Sequence, residues 1–427
     1  MNIHLRALGC RLNEAELESW ALEFRNAGHQ LVNDASAADV TVVNTCAVTR
    51  EAVRKSRKLI NRLRRESPYG KLVVSGCAVS TGETGNASDL GIDLIVDNSQ
   101  KTELVKTVTS TLPISIMPEG ATLPAESALF ARNRQRAFIK IQDGCRYRCT
   151  YCIVTMARGE EQSRPINEII DEVNQLHEQG VQEIVLTGVH VGGYGSDIQS
   201  SLTELVKRLL QGTDIPRIRF ASVEPWDLGD NFFTLFENTR LMPHMHLPLQ
   251  SGSDAILRRM ARRCKTSEFA SLVEQARASV SGFNVTTDII VGFPGETESL
   301  WQETVDFVEA IGFGHIHVFS FSPREGTKAA SMDVQVDNNT KKQRSAQLRS
   351  IAERQRRESI ERQIGTTARV LWEGQSINKP DTQVFGYTEN YTRVCMHANQ
   401  APKAGGIAAC QLESIEPRGQ YAIADLL

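Results

Sequence analysis

The chain contains the stretch AFIKIQDGCRYRCTYC, residues 137–152, in which an apolar β-strand pattern runs directly into three cysteines. Cys145, Cys149 and Cys152, called the local triple below, lie within eight residues. Zinc sites favour paired Cys-x2-Cys motifs and four protein ligands, and the sequence offers no fourth ligand nearby. Three thiolates suit a cubane iron–sulfur cluster that leaves one iron open to another ligand. The stretch therefore predicts a redox site at the end of a strand.

Cys10, Cys46 and Cys77, called the dispersed triple below, each follow a short run that predicts a β-strand. They are spaced by about one strand–helix unit, which indicates a parallel sheet. Because all strands of a parallel sheet end at the same edge, we expect the three thiols to be neighbours and to bind a second cluster. The alternative is three inert buried cysteines. We interpret the remaining cysteines, Cys264, Cys395 and Cys410, as structural.

Composition places this 427-residue chain among ordinary globular proteins, with 41% hydrophobic and 23% charged residues. No apolar run approaches the roughly 18 residues that a membrane span needs, so we expect a cytoplasmic protein without a membrane partner. Free thiols are then more common than disulfides. The net charge is −3, yet residues 50–65 and 341–362 are strongly basic. These helices either attract a polyanion or are simply solvated faces.

The alternation of strands and helices predicts an α/β protein of three domains. Residues 1–105 predict an N-terminal α/β domain with an open parallel sheet, followed by a linker at 106–134 that is rich in Pro, Ser and Thr. Residues 135–363 contain six strand patterns separated by helices, which favours a partial (β/α)6 barrel with a trailing basic helix. Residues 364–427 contain five short strand patterns, which predict a small antiparallel β-barrel.

The local triple resembles the cluster ligands of radical S-adenosylmethionine enzymes. Three further motifs, LGCRLN at 8–13, NTCAVT at 44–49 and SGC at 75–77, resemble the cysteine boxes of the methylthiotransferase family. The resemblance covers the whole chain. It implies two 4Fe–4S clusters, S-adenosylmethionine as cosubstrate, and a terminal RNA-binding barrel of the TRAM type. The implied reaction inserts sulfur into a C–H bond and methylates that sulfur.

Polar groups that follow the predicted barrel strands are the candidates for binding the cosubstrate, because barrel active sites lie at the strand C-termini. These candidates, with the aromatic residue of the cysteine loop, are Tyr151, Thr187, Glu224, Gln250 and Ser251. The alternative is that some of them only cap the helices that follow.

The motif forms look most like the family branch that modifies threonylcarbamoyladenosine at tRNA position 37. Two other branches modify isopentenyladenosine in tRNA and an aspartate of a ribosomal protein. Thr155-Met156 and the acidic Glu160-Glu161 depart from the common family pattern. The implied partners are the tRNA anticodon arm, a reductant such as flavodoxin or ferredoxin, and a sulfur source. A simple radical RNA methyltransferase would not need the dispersed triple, and a silent RNA-binding protein would not need the strand-end motifs.

Overall fold

Two packed units make up the described chain, which covers residues 1–112, 135–229, 231–373 and 383–427 of the computed structural model. The first unit contains residues 1–112, 142–162 and 324–327. The second contains residues 135–141, 163–323 and the chain from 328 onward. The segment with the local triple therefore packs in the same unit as the dispersed triple. The sequence alone had grouped residues 142–162 with the barrel.

A parallel sheet in the order β2-β1-β3-β4-β5 forms the first unit. Its strands are β1 (Asn2–Ala7), β2 (Gln30–Leu31), β3 (Val40–Thr45), β4 (Lys71–Gly76) and β5 (Leu94–Val96). Its helices are α1 (Arg11–Asn26), α2 (Arg50–Glu66), α3 (Cys77–Ser80), α4 (Leu104–Thr111) and α5 (Val154–Arg158), and it includes the short strand β7 (Gln142–Asp143). Helix α4 extends past the predicted domain end at residue 105. Residues 113–134 of the predicted linker lie outside the described residues.

The apolar patterns explain how the sheet is covered. Every residue of β3 is buried, as expected for a central parallel strand with helices on both faces. Helix α1 packs Trp20 and Phe24 onto Val40 and Val42 of one face. Helix α2 is basic on its outer side and buries Val53, Ile60 and Leu63 at helical spacing.

Six parallel strands form the barrel half of the second unit, as two hydrogen-bonded groups in the orders β6-β9-β10 and β11-β12-β13. Isolated bridges from Ile218 to Leu241 and from Ser222 to His246 join the two groups. The strands are β6 (Arg136–Lys140), β9 (Glu183–Thr187), β10 (Arg217–Phe220), β11 (His244–His246), β12 (Asn284–Val291) and β13 (His315–Ser320). The short strand β8 (Gln162–Ser163) is not part of this barrel and pairs with β7. The helices are α6 (Ile166–Glu178), α7 (Leu202–Gly212), α8 (Asp254–Arg259), α9 (Thr266–Ser279), α10 (Glu298–Ile311) and α11 (Asn338–Glu361). The predicted partial barrel is confirmed.

The C-terminal part of the second unit is a closed five-stranded barrel in the order β14-β15-β16-β18-β17. Its strands are β14 (Thr367–Trp372), β15 (Gln383–Tyr387), β16 (Arg393–His397), β17 (Ile407–Ile415) and β18 (Ala422–Leu426). Trp372, Val394 and Leu412 fill its core. The expectation of a purely antiparallel barrel needs one correction, because β16 and β18 pair in parallel. That pair closes the barrel between strands that are not consecutive in the chain.

Charged side chains connect the starts of the parallel strands to this small barrel. Glu183 is fully buried, and its carboxylate lies 3.4 Å from Arg136 Nε and 3.2 Å from an Arg219 guanidinium nitrogen. Arg217 donates hydrogen bonds to the backbone carbonyls of Arg369 and Tyr387. The two barrels are thus joined by buried ionic and hydrogen-bonding contacts. Throughout the described residues, no helix has the length and apolar character that crossing a membrane requires.

Candidate functional site

The dispersed triple lies at the carboxyl edge of three adjacent strands, β1, β3 and β4. Cys10 precedes the first residue of helix α1, Cys46 directly follows β3, and Cys77 directly follows β4 as the first residue of α3. Cys46 and Cys77 are buried, whereas Cys10 is exposed. The parallel topology thus gathers three cysteines that are far apart in sequence.

Two glycines allow this close approach. Gly9, with φ +121°, faces Cys46 so closely that an added Cβ would lie 2.7 Å from the Cys46 Cβ and 2.9 Å from its Sγ. Gly76, with φ +103°, lies against the Thr45 backbone, and a Cβ there would clash with it. A side chain at either position would push the cysteine loops apart, and both φ values strongly favour glycine.

Electrostatics show that the three thiols are close enough to interact. The pKa of Cys46 is raised to about 11, chiefly by burial. The neighbouring Cys10 and Cys77 act in the same direction, whereas a hydrogen bond to the Val48 backbone and the charge of Arg158 act against it. Thiols with high pKa values stay protonated until a metal displaces the proton. The donor set of three convergent sulfurs therefore suits an iron–sulfur cluster more than a reactive free thiol.

The local triple lies on the loop between β7 and α5. This loop is held by hydrogen bonds from the Cys145 amide to the Gly159 carbonyl, from the Cys152 amide to the Cys149 carbonyl, and from the Thr155 hydroxyl to the Tyr147 carbonyl. Gly144, with φ +71°, packs against the Glu160 carbonyl, where a Cβ would clash. All three cysteines of the triple are partly exposed. A tight loop with accessible sulfurs fits a cluster that must meet a cosubstrate.

A buried ionic network joins the two cysteine groups. The Arg158 side chain, only 2% exposed, lies 2.8 Å from the Glu16 carboxylate and 3.0 Å from the Asp143 carboxylate. It also donates a 3.0 Å hydrogen bond to Asn13 Oδ1. Lys101 Nζ lies 2.7 Å from the other Glu16 oxygen. The sequence analysis missed this network, because Arg158 and Glu16 are 142 residues apart and no local pattern connects them.

Among the strand-end candidates, Glu224 lies in the most developed polar setting. Burial raises the pKa of its carboxyl group, and His190 and Arg262 oppose that shift. His190 Nε2 lies 2.6 Å from Asp227 and 3.7 Å from Glu224. Thr187 is the last residue of β9 and is buried. The sequence alone indicates no role for His190 or Asp227, although His190 lies three residues after the end of β9.

Gln250 and Ser251 follow β11 but differ in their surroundings. Gln250 has φ +79°, and its backbone pairs with Asp288 and Ile290 of β12. The Ser251 hydroxyl lies 3.2 Å from the Thr304 hydroxyl and accepts a bond from the Ser253 amide. Ser251 thus bonds within its own loop and to helix α10, and its role in binding the cosubstrate stays a prediction. Tyr151 is partly buried on the cysteine loop, and its role as a ligand stays a prediction.

The charged surfaces expected for a polyanion differ between the two basic helices. In α11, Lys341 and Arg344 are buried, and Arg344 pairs with Glu296 at 2.9 Å. In α2, Arg54 and Lys58 are exposed and form none of the ion pairs found among the described residues. Helix α2 therefore presents exposed positive charge that a polyanion can contact.

The aromatic residues of the terminal barrel differ in their burial. Trp372 lies in the core, whereas Phe385, Tyr387 and Tyr391 are partly exposed. Tyr387 stacks on Tyr391 with ring centroids 4.7 Å apart. Phe385 packs against Arg393, whose guanidinium carbon lies 3.9 Å from the ring centroid.

Comparisons with known proteins agree with this architecture. Residues 139–308 match the radical SAM superfamily, and residues 2–97 match the family described as "Uncharacterized protein family UPF0004". The chain is 33% identical to the threonylcarbamoyladenosine tRNA methylthiotransferase MtaB of Thermotoga maritima, over 98% of this chain and 95% of that protein. This chain belongs to the radical SAM methylthiotransferase family. The family resemblance drawn from the cysteine motifs is confirmed.

Other members of the family are similarly close. The Bacillus subtilis protein of the same name as the Thermotoga relative is 34% identical, over 92% of this chain and 89% of its own. An Oceanobacillus iheyensis protein named tRNA-2-methylthio-N(6)-dimethylallyladenosine synthase is also 34% identical, over 90% of this chain and 77% of its own. The radical SAM methyltransferase TsrM of Kitasatospora setae has the same fold, with a TM-score of 0.58 at 16% identity over 77% of each chain.

A radical SAM methylthiotransferase uses a 4Fe–4S cluster and S-adenosylmethionine, and these are cofactors of this enzyme. The residues fit such a cluster, because each triple offers three sulfurs and the glycine contacts fix the loops that carry them.

Proposed function

We propose that this enzyme replaces the C2 hydrogen of N6-threonylcarbamoyladenosine 37 in tRNA by a methylthio group. The observation that carries the proposal is the packing of both cysteine triples in one unit, joined by Arg158. An enzyme that only methylates RNA has no use for the second triple. The substrate is inferred from the motif forms and from the MtaB relatives.

In this proposal the two triples hold separate clusters. Cys145, Cys149 and Cys152 hold the cluster that meets the cosubstrate, and the dispersed triple holds the auxiliary cluster. When bound, these groups supply the electron for cleaving S-adenosylmethionine and the site at which sulfur is presented to the substrate. The protein positions both sites and excludes water from the buried cysteines 46 and 77.

S-adenosylmethionine is proposed to lie across the strand ends of the partial barrel, near Thr187, Glu224, Gln250 and Ser251. A contact with Tyr151, on the cysteine loop of the first unit, is a separate proposal. Glu224 is the strongest candidate for the positively charged amino group, because a buried carboxylate is stabilised by a cationic partner. His190 contacts both Asp227 and Glu224 and thereby helps to fix the loop that carries Glu224. Ser251 acts through the shape of its loop, since its hydroxyl already bonds to Thr304.

The tRNA anticodon arm is proposed to contact helix α2 and the accessible face of the terminal barrel near Phe385 and Arg393. Phosphate contacts supply most of the affinity in such complexes, and stacking orders single bases. Flavodoxin or ferredoxin is the proposed reductant, together with a separate sulfur source, in the cytoplasm. Deletion of residues 364–427 would uncover the buried Arg217, so surface substitutions test RNA binding more cleanly than truncation.

A second candidate substrate is isopentenyladenosine 37, favoured by the Oceanobacillus relative at 34% identity. The two candidates differ only in the group attached to N6 of the same adenosine. Threonylcarbamoyl carries a carboxylate and a hydroxyl group, whereas isopentenyl is apolar. The pocket must therefore discriminate polar from apolar N6 substituents.

The test is a reaction of the cluster-reconstituted enzyme with two tRNAs, one carrying threonylcarbamoyladenosine and one carrying isopentenyladenosine. Mass spectrometry of the digested tRNA measures the methylthio product. We expect product only from the first tRNA, and none from a variant that lacks the local triple. Cys264→Ala, which removes a buried cysteine outside both triples, is the matched control and should keep activity. Product only from the second tRNA would overturn the substrate assignment.

A further inference from the structure

We propose that Arg158 is a positioning residue that fixes the two cluster sites relative to each other and adds positive charge beside the auxiliary site. The inference rests on the proposed function, since it takes the dispersed triple as the auxiliary site. It names a residue that lies in neither cysteine motif. Arg158 ends helix α5, six residues after Cys152.

Arg158 bonds to residues that lie close to both cysteine triples. On one side its guanidinium binds Asp143, two residues before Cys145, at 3.0 Å. On the other side it binds Glu16 at 2.8 Å and Asn13 at 3.0 Å, both on the first turns of α1. Cys10 immediately precedes that helix. One planar group thus holds the loop of the local triple and the helix that begins beside Cys10.

Asn13 strengthens this link, because it contacts Arg158 and the dispersed triple together. Its side-chain nitrogen donates to the Leu8 carbonyl at 2.6 Å and to the Thr45 carbonyl at 3.1 Å. Leu8 lies two residues before Cys10, and Thr45 directly precedes Cys46. Its carbonyl oxygen lies 3.8 Å from Cys10 Sγ. A second asparagine, Asn98, lies 3.8 Å from Cys77 Sγ and donates to the Ala157 carbonyl at 2.6 Å.

The network also places buried positive charge close to the dispersed triple. Arg158 and Lys101 are buried cations, and Glu16 binds both of them. The guanidinium lies one side chain away from the dispersed triple, because Asn13 Oδ1 is 3.0 Å from the Arg158 nitrogen and 3.8 Å from Cys10 Sγ. A buried positive charge favours the more negative, reduced state of a nearby cluster, because the low dielectric screens it little. Removing it should make that cluster harder to reduce.

Two substitutions of Arg158 can distinguish its positioning role from the effect of its charge. A guanidinium can bind two carboxylates and an amide in one plane, whereas an ammonium keeps the charge without the fork. Arg158→Lys should therefore preserve the electrostatic effect and weaken the positioning, and Arg158→Gln should remove both. Arg148→Gln is the matched control, because Arg148 lies between Cys145 and Cys149 in the same loop but is 82% exposed.

The experiment uses the full-length enzyme reconstituted with iron and sulfide. Iron content is measured first, then the reduction midpoint of each cluster by redox titration, and then the magnetic interaction between the reduced clusters by electron paramagnetic resonance. We expect Arg158→Gln to shift the auxiliary midpoint to more negative potential by about 59 mV, a tenfold change for one electron. The interaction between clusters should change in both Arg158 variants, and Arg148→Gln should match the wild type.

The outcomes distinguish this inference from the proposed function. A wild-type enzyme with only one cluster would overturn the auxiliary site itself, and with it this role for Arg158. Two clusters in the wild type, with an unchanged midpoint and unchanged interaction in Arg158→Gln, would overturn the role of Arg158 alone. If Arg158→Gln folds poorly, Asp143→Asn keeps the arginine and removes one of the carboxylates that holds it. It should alter the interaction between the clusters and, because a negative charge is lost, move the auxiliary midpoint to more positive potential, opposite in sign to the shift in Arg158→Gln.

Discussion

Glu183 should be one of the most important residues for the stability of the second unit. Its carboxylate is fully buried among Arg136, Arg217 and Arg219, and these charges overcome burial to lower its pKa from 4.5 to about 2. A shift of this size corresponds to about 3 kcal/mol of folding free energy at neutral pH. Replacing Glu183 with Gln also leaves buried guanidiniums without a counter-charge, which typically costs about 3–5 kcal/mol.

The prediction is checked by urea denaturation at pH 7, followed by the fluorescence of Trp301 and Trp372 in the same unit. Glu183→Gln should lower the free energy of unfolding by about 3–5 kcal/mol. Glu309→Gln, which breaks an exposed pair with Arg354, is the control and should cost at most about 1 kcal/mol. A loss below about 1 kcal/mol in Glu183→Gln would refute the reasoning.

The same residue predicts a pH dependence with a definite sign. The folded-state pKa of Glu183 lies below its unfolded value, so its contribution is fully present above about pH 4.5 and is lost as the pH falls toward 2. The difference between wild type and Glu183→Gln should therefore shrink by about 1.4 kcal/mol per pH unit in that window. A difference that stays constant from pH 5 to pH 3 would contradict this account.

Three further outcomes are expected. Alanine at all positions of the local triple should abolish 5′-deoxyadenosine formation under reducing conditions, and retained cleavage would remove that assignment. Alanine at all positions of the dispersed triple should remove about half of the iron that two equal clusters hold and leave cosubstrate cleavage intact, whereas unchanged iron would indicate inert cysteines. Alanine at both Arg54 and Lys58 should weaken tRNA binding and reduce the slope of log affinity against log salt by about 1.4–1.8. Lys106→Ala, which removes an exposed cation elsewhere, is the control. An unchanged slope in the double variant would exclude α2 from the interface.

Much of the fold could be predicted from the sequence, because apolar runs and glycines mark its strands and turns. The six strand patterns predicted between residues 135 and 363 correspond to the six parallel strands of the partial barrel. The closeness of the three cysteines of the dispersed triple could be predicted because parallel strands end at a common edge of the sheet. The two-residue strand β2 was missed, since Gln30–Leu31 is too short to show a period.

Contacts between distant residues could not be predicted in the same way. Arg158 meets Glu16 and Asp143 only after folding, and no spacing in the sequence connects them. The sequence contains a weak indication of the buried ion pairs among Glu183, Arg217 and Arg219. These charged residues stand at the start of apolar strands, where a buried charge requires a partner. The parallel pair of β16 and β18 depends on how the small barrel closes, which strand patterns alone do not determine.

Mass spectrometry of tRNA nucleosides from a strain that lacks the gene tests the proposed substrate. In that strain 2-methylthio-N6-threonylcarbamoyladenosine should disappear, and N6-threonylcarbamoyladenosine should accumulate. Restoring the wild-type gene should restore the product, and restoring the variant without the dispersed triple should not. An unchanged level of this nucleoside, or loss of the methylthio group from isopentenyladenosine instead, would contradict the account.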